Sequence, residues 1–537
     1  MEQKSFLVIK CIFDFGNFFL SNLGIGVDKT ISPREDNLII KIFIISFFSM
    51  FPFKFLKSQS NLDSIVYQKK RIQFEIKELD RNFYVKSNKD NLIYIKDIET
   101  GKNLNWEMKI YDRNLNLLKD TLFELDRSYA ILKIYSDNKK YEIIFKKNYS
   151  NEKEYLHLLY DLKSNNIKIE KINLPLSVKI NNVLFYNESI IFFGNLKNGK
   201  SLIGIYNLIT RQLNNIYEYL YYENNIINIF KNNNNSFYVL ISNRGKAGNN
   251  IIERKVYNLR GEEIDFYAIK SDNHSIIETK VFTENTKEIY LSLFGNKNSK
   301  EANGIQIDFV EDKILRHKKK IYFLEIKSIS NFFKEFKKDL GRKIERQEIN
   351  KIKLGYELYI DTLFVFEDEL HFSIESIKPN FNNDGFSNYS YMPFYNTYSG
   401  RYDNKINPKF GGYTHDINFY LITDNKGNII SSLVSPIDNL NTFYKSSYKN
   451  YILNDNSLIE FYVNKGVINI MKKGFNNNLK YDSKINLQSN DNDIIIKTET
   501  NPEGTFYWYK NNYYSYGVQR LKKNKRVFFI SNFEINR

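Results

Sequence analysis

From about residue 80 onward, one strand-rich unit recurs roughly every fifty residues. Its clearest piece is an apolar run ending in Tyr-Asp or Tyr-Asn, followed by a short polar turn and a second run. The anchors are Tyr111, Tyr160, Tyr206 and Tyr257, spaced 49, 46 and 51 apart, with a looser copy 50 further on at Ile307. A period of this size built only from strands is the mark of a β-propeller blade. Within one period the apolar runs 183–186, 189–194, 201–208 and 212–219 give four short strands separated by Asn- and Gly-containing turns. Further units follow through His274–Tyr322, through a split pair around Ile422, through Thr442–Tyr481 near Ile470, and through Asp493–Ile535.

The expectation is an all-β propeller of seven or eight four-stranded blades. Its N-terminal strand, near Arg71–Leu79, completes the last sheet. Closing the ring in this way removes exposed sheet edges. A pair of β-sandwiches is the structural alternative.

Composition agrees with strands: 43 Phe and 40 Tyr bring the aromatics to 16%. The accompanying Asn, Lys and Ile share AT-rich codons, so runs such as Asn232–Asn235 are not read as low-complexity segments. The net charge of +16 invites a nucleic-acid reading. The cations are interspersed with acids, however, and the densest runs, His317–Lys320 and Arg520–Arg526, are flanked by strand-like sequence. Lysines on exposed strand edges discourage sheet-to-sheet pairing. No nucleic-acid partner is expected.

Cys11 is the sole cysteine, so no intrachain disulfide forms. Leu38–Leu56 joins Lys41 to the apolar stretch Ile42–Phe53 and then to small polar residues around Ser58–Ser60. That order is an export signal, and the stretch is short against the about 20 residues of a membrane span. The chain divides into an extension (1–37), a signal peptide or anchor (38–60) and one propeller domain (61–537). Membrane contact is expected only through Leu38–Leu56, if it is retained.

Two insertions break the period. Ser328–Lys353 is helix-like, with Phe332, Phe333, Phe336 and Leu340 on one face and a basic opposite face, and is expected to pack on the outside of the propeller. Lys378–Gly412 holds Tyr389, Tyr391, Phe394, Tyr395, Tyr398 and Tyr402 among Asn, Ser and Gly. Tyrosine with small polar residues is the composition of adaptable binding surfaces. These six aromatics, with His415 where the loop re-enters a strand, are the candidate partner-binding residues.

Catalytic motifs fare poorly. Gly194–Ser201 fits the phosphate-loop pattern, but it leads into another strand where the mechanism requires a helix N-terminus, and it reads as a hairpin. The five histidines are scattered without HExxH or cysteine clusters, so neither metal nor cofactor is expected. Leu370, Phe372 and Ile374 take one face of a strand, leaving His371 and Glu375 for a solvated opposite face. No residue pattern selects a catalytic pair.

The C-terminal stretch, including Phe506–Tyr509, Tyr516–Lys522 and Arg526–Ile530, resembles the ending of an uncharacterised exported Bacteroidota family with propeller-like repeats. The Tyr/Gly-rich insertion and the Lys-rich helix before it are similar to the same family. The resemblance implies an envelope or extracellular location and carries no activity. The reading is an exported, monomeric, non-enzymatic binding or scaffold module for an envelope protein or polysaccharide. The alternative is a polysaccharide hydrolase or lyase with carboxylates at the propeller channel.

Overall fold

The computed structural model describes residues 66–535, apart from short segments in the connections and two longer ones, 337–353 and 382–409. Eight antiparallel sheets follow one another along the chain. Blade one is β2–β5 (residues 83–125), blade two β6–β9 (129–173), blade three β10–β13 (178–216) and blade four β14–β17 (225–269). Blade five is β18–β21 (275–322), blade six β22–β25 (357–442) and blade seven β26–β29 (450–486). Blade eight combines β30–β33 (495–535) with β1 (Val66–Glu75). The fold is therefore an eight-bladed β-propeller.

The Tyr-Asp/Asn repeat has a local cause. The Asp or Asn side chain folds back onto the backbone N–H groups of the turn after the third strand. Asp161 Oδ1 accepts from Ser164 N at 2.7 Å, Asn207 Oδ1 from Thr210 N at 2.8 Å, and Asn258 Oδ1 from Arg260 N at 2.9 Å. Such Asx turns satisfy N–H groups that a tight connection leaves open. The preceding Tyr111, Tyr160, Tyr206 and Tyr257 are all buried. In blade six the same cap is Asp424, whose Oδ1 accepts from Asn428 N at 2.7 Å. A bulge marks this place in several blades, between Val256 and Tyr257, Phe309 and Val310, and Ile422 and Thr423. The structural equivalents of the anchors are thus Val310 and Thr423, not Ile307 and Ile422. Ile307 and Ile422 are core residues three positions and one position upstream. Blade seven begins at Asn450, Thr442 being the last residue of blade six.

Each blade is sandwiched between two others, so its middle strands are buried on both faces. Ile190, Ile191, Phe192 and Phe193 in β11 (Ser189–Leu196) are all at most 2% exposed. Because successive side chains point to opposite faces, Ile190 and Phe192 join the core shared with blade two, and Ile191 and Phe193 the core shared with blade four. The first strands of consecutive blades touch, as β2 does β6, β6 does β10 and β10 does β14, and so form the inner rim. One of the two densest lysine runs lies on an outer strand. His317–Lys320 lies on β21 (Ile314–Tyr322), the outermost strand of blade five.

Ring closure comes from β1, which pairs antiparallel with β33 (Arg526–Ile535) from Val66↔Ile535 to Glu75↔Val527. This is the expected closing strand, placed a few residues earlier in the chain. Arg71 anchors it, donating to Gln519 Oε1 at 2.5 Å and to Gln488 O at 2.8 Å, with its guanidinium 4.4 Å from the Phe529 ring centre. Burial lowers the Arg71 pKa to about 10 even with Asp493 nearby. The seam with blade one is aromatic: Phe528 stacks on Phe83 at 4.6 Å and meets Tyr94 at 5.2 Å.

The helical insertion is α1 (Lys327–Phe336), which packs against β25 (Ile429–Thr442). It buries Ile329 and Phe333 in the core between blades five and six, and Phe333 meets Phe419 at 6.3 Å. The basic side turns outward at Lys334. The phosphate-loop lookalike is the β11–β12 hairpin. Its Gly194 is required for space, since a Cβ there would lie 2.4 Å from the Lys179 carbonyl oxygen.

Phe528→Ala is expected to cost about 3–5 kcal/mol in urea unfolding, the usual penalty for emptying a buried aromatic site. Removing residues 66–75 should leave the β33 edge free and give concentration-dependent self-association. A truncated protein that stays monomeric with an unchanged unfolding midpoint would contradict closure by β1.

Candidate functional site

Blade six departs from the others. Its strands β23 (Glu369–Phe381), β24 (Phe410–Thr423) and β25 have 13, 14 and 14 residues, against at most ten in any other strand. The Lys378–Gly412 insertion is correspondingly shorter than the sequence suggests, because Lys378–Phe381 and Phe410–Gly412 extend the two strands that carry it. Tyr389, Tyr391, Phe394, Tyr395, Tyr398 and Tyr402 lie outside the described residues.

The boundary between blades six and seven is also chemically different. Two small apolar groups, around Tyr420 and Leu458 and around Leu440 and Tyr448, flank a buried polar network. Glu375 on β23 and His415 on β24 are both 0% exposed. His415 Nδ1 lies 2.8 Å from Glu375 Oε2, and its Nε2 lies 2.9 Å from Thr442 Oγ1. An ionised carboxylate only accepts, so Nδ1 carries the proton. Tyr359 donates its hydroxyl to the same Glu375 oxygen at 2.5 Å. Glu375 Oε1 has no hydrogen-bond partner among the described residues. Burial by itself would raise the Glu375 pKa; the His415 bond, the Lys449 charge and the Tyr359 bond outweigh it and hold the carboxyl below its ordinary range. The His415 ring is held edge-on by Tyr448, 5.0 Å away.

A second ion pair lies beside the first. Buried Lys449 donates to Glu460 Oε1. Glu460 Oε2 accepts from Asn418 Nδ2 and Ser435 Oγ, each at 3.2 Å. Asn418 Oδ1 in turn accepts from Ser373 Oγ at 2.6 Å, and Ser373 is 2.7 Å from the Tyr451 hydroxyl of blade seven. Glu460 also forms part of a cleft lined by Pro436, Tyr462, Asn469, Asp482 and Lys484.

The solvated strand face expected for His371 and Glu375 is a correction. His371 is 2% exposed, stacks on Phe364 at 5.3 Å and meets the Tyr420 hydroxyl at 3.1 Å. In a propeller the second face of a strand belongs to the next blade, so polar alternation does not mark solvent. His415 likewise lies within the blade, not at a turn. The order hydroxyl–imidazole–carboxylate from Thr442 through His415 to Glu375 is that of a nucleophile relay. Here the hydroxyl is secondary and only 4% exposed, and the relay acts as a clamp across β23, β24 and β25. Among the described residues, no group of three or more His, Cys, Asp or Glu could hold a metal ion.

No protein-family model and no curated protein matches the chain. Among solved structures, it is similar to the β-propeller domain of the Trilobed protease from Pyrococcus furiosus, with 9% identity, a TM-score of 0.33, and 76% of this chain and 99% of that one covered. It is similar to the polysaccharide lyase Uly1, with 8% identity, a TM-score of 0.37, and 75% and 89% covered. A Synechocystis apocarotenoid oxygenase mutant matches with 9% identity and a TM-score of 0.28, over 43% of this chain and 58% of that one. The chain therefore spans 58% of the oxygenase's length. No substrate or activity is carried over from these proteins.

Two predictions follow from the network. Burial lowers the His371 pKa from 6.5 to about 4. Between those values the unfolded chain binds a proton that the folded one refuses, so His371 makes stability fall as pH drops from 6.5 to 4, by up to about 3 kcal/mol. Thermal unfolding of His371→Gln across that window should show a shallower pH slope than the parent; an identical slope would refute the assignment. Lys449→Met, which strands Glu460, should cost about 3–5 kcal/mol, and Lys449→Met with Glu460→Leu should recover much of it. Equal losses in the single and double variants would contradict a coupled pair.

Proposed function

We propose that the protein is an exported, non-enzymatic binding propeller that presents the Tyr-rich insertion on the rim of blade six. One observation carries the reading: the two strands that bear the insertion, with β25 beside them, are the three longest among the described residues, and they are clamped by His415–Glu375–Thr442 and by Lys449–Glu460. A contact loop gains affinity when its base is held rigid, because less freedom is lost on binding. Blade six is such a base, stiffened further by α1 along its outer strand. The partner is an envelope protein or polysaccharide, met by tyrosines whose rings offer apolar area with a polar tip. The export signal at Leu38–Leu56 and the resemblance to exported proteins support a periplasmic, outer-membrane-surface or extracellular location, with the protein acting as a monomer. No helix among the described residues is long and apolar enough to cross a membrane, and Leu38–Leu56 lies outside them. The side chains along the inner rim are mixed, Lys133, Asn182, Asn228 and Glu278 among them, which favours binding over a carboxylate-based hydrolase.

The test replaces residues 383–408 by a short Gly-Ser linker joining β23 to β24. Binding to purified envelope polysaccharide and to envelope proteins from the native host is then compared with the full chain. The expected result is an unchanged unfolding midpoint with at least about tenfold weaker binding. Undiminished binding by the folded deletion variant would overturn the contact surface. N-terminal sequencing of protein from the native host addresses export separately: a start near Ser60 is expected, and an intact Met1 in the cytosol would overturn it.

A further inference from the structure

The inner strands of six blades carry a bulge at one recurring place. It falls between Ile131 and Lys133 in β6 (Tyr129–Ser136), Ile180 and Asn182 in β10 (Val178–Phe185), and Ile226 and Asn228 in β14 (Asn225–Lys231). It recurs between Ile276 and Glu278 in β18 (Ser275–Glu284), Ile360 and Thr362 in β22 (Glu357–Phe366), and Ile495 and Lys497 in β30 (Ile495–Thr498). A bulge bends a strand and re-aims the side chain beside it. Here it turns an Ile-x-polar repeat so that the polar residue can reach the next blade along the inner rim. Asn182 Nδ2 donates to Asn228 Oδ1 at 2.8 Å, tying blade three to blade four. Glu278 Oε2 accepts from Ile360 N at 3.2 Å, tying blade five to blade six.

At blade two this position is Lys133, and it ties nothing. Lys86 stands beside it on β2 (Phe83–Ser87) of blade one. The two strands are held together just beyond these lysines, where Ser136 Oγ donates to Ser87 O at 2.7 Å and Asn88 Nδ2 to Asp137 O at 2.8 Å. Among the described residues, neither ammonium has a hydrogen bond or an ion pair. Both side chains reach water yet are crowded by protein. That crowding lowers both pKa values, and the charge of Lys86 lowers that of Lys133 further; no carboxylate is among the groups acting on either. The neighbouring acids are engaged elsewhere. Glu142 serves Lys140 and His157, Asp90 serves Arg113, and Asp137 accepts from the backbone N–H groups of Lys139 and Lys140.

We propose that Lys86 and Lys133 form an oxyanion-binding site on the inner rim between blades one and two, taking a sulfate- or phosphate-like group. Two unpaired like charges held together in a partly desolvated place repel one another, and a bound anion relieves both the repulsion and the lost hydration. The site is independent of the blade-six surface proposed above.

The test follows thermal unfolding and calorimetric titration with sodium sulfate, against sodium chloride at matched ionic strength. Dextran sulfate serves as the polymer-borne form of the same group. Lys133→Asn places there the residue found at the equivalent position of blades three and four, so the fold should be kept. Lys86→Gln is the second variant. Sulfate is expected to raise the unfolding temperature of the parent beyond chloride, and each variant should lose at least about tenfold in sulfate affinity. Both variants should match or exceed the parent's unfolding temperature in chloride, because a repulsion has been removed. Dextran sulfate binding that also falls in both variants would support a site open to a polymer-borne group. No sulfate effect in the parent, or an effect equal in parent and variants, would overturn the site. Dextran sulfate binding undiminished in the variants, without a sulfate effect, would assign the affinity to the general surface charge and overturn it as well.

Discussion

The pairing of β1 with β33 is the contact on which the propeller depends. Every other blade is made by neighbouring hairpins and needs only local sequence to form. Blade eight alone joins the two ends of the described chain, and it brings Phe74, Phe83, Tyr94 and Phe528 into one seam with blade one. Once that seam is closed, every middle strand is covered on both faces. The continuous apolar runs of β11 and its counterparts become the stable choice, and the half-polar alternation of an exposed sheet is not required.

With the ring complete, the boundary between blades six and seven holds the most extended buried charge network among the described residues. Elsewhere Glu142–His157 is buried as a single pair, and buried Arg254 pairs with half-buried Glu288. At the boundary of blades six and seven, Glu375, His415, Lys449 and Glu460 are buried together with Ser373, Ser435 and Asn418. Buried ion pairs seldom add stability over apolar packing, but they are strict about geometry, because a misaligned partner leaves an uncompensated charge. The network therefore fixes how the long strands of blade six sit against blade seven.

Much of this architecture was legible in the sequence. The Tyr-Asp/Asn period announced the blades because the same Asx turn recurs after the third strand of blades one to four and six, and the strand-like stretch near Arg71 announced closure. Legibility failed where the physics is not local. The anchors placed at Ile307 and around Ile422 slipped because in blades five and six Val310 and Thr423 replace the tyrosine; blade six keeps the Asx turn at Asp424, and blade five turns instead through Asp312 and Lys313, both at positive φ. Polar alternation around His371 and Glu375 read as a wet face because one strand's sequence cannot reveal that a second blade covers it. The bulges were missed for a related reason. Ile-x-polar is unremarkable in one strand and gains meaning only when six inner strands are aligned.

The closing strand also imposes an order of events. Val66 and Ile535 are partners, yet the whole ring separates them in synthesis. At about 5–20 residues per second, β1 waits unpaired for about half a minute or longer before β33 exists. Through that interval the nascent ring is an open arc with two bare edges, and it reaches its native shape only when its first strand meets its last. Arg71 and the lysines of β1 keep charge on a strand that would otherwise be a ready template for pairing with another chain. The chain carries its own clasp at the leading end, with safeguards against fastening early.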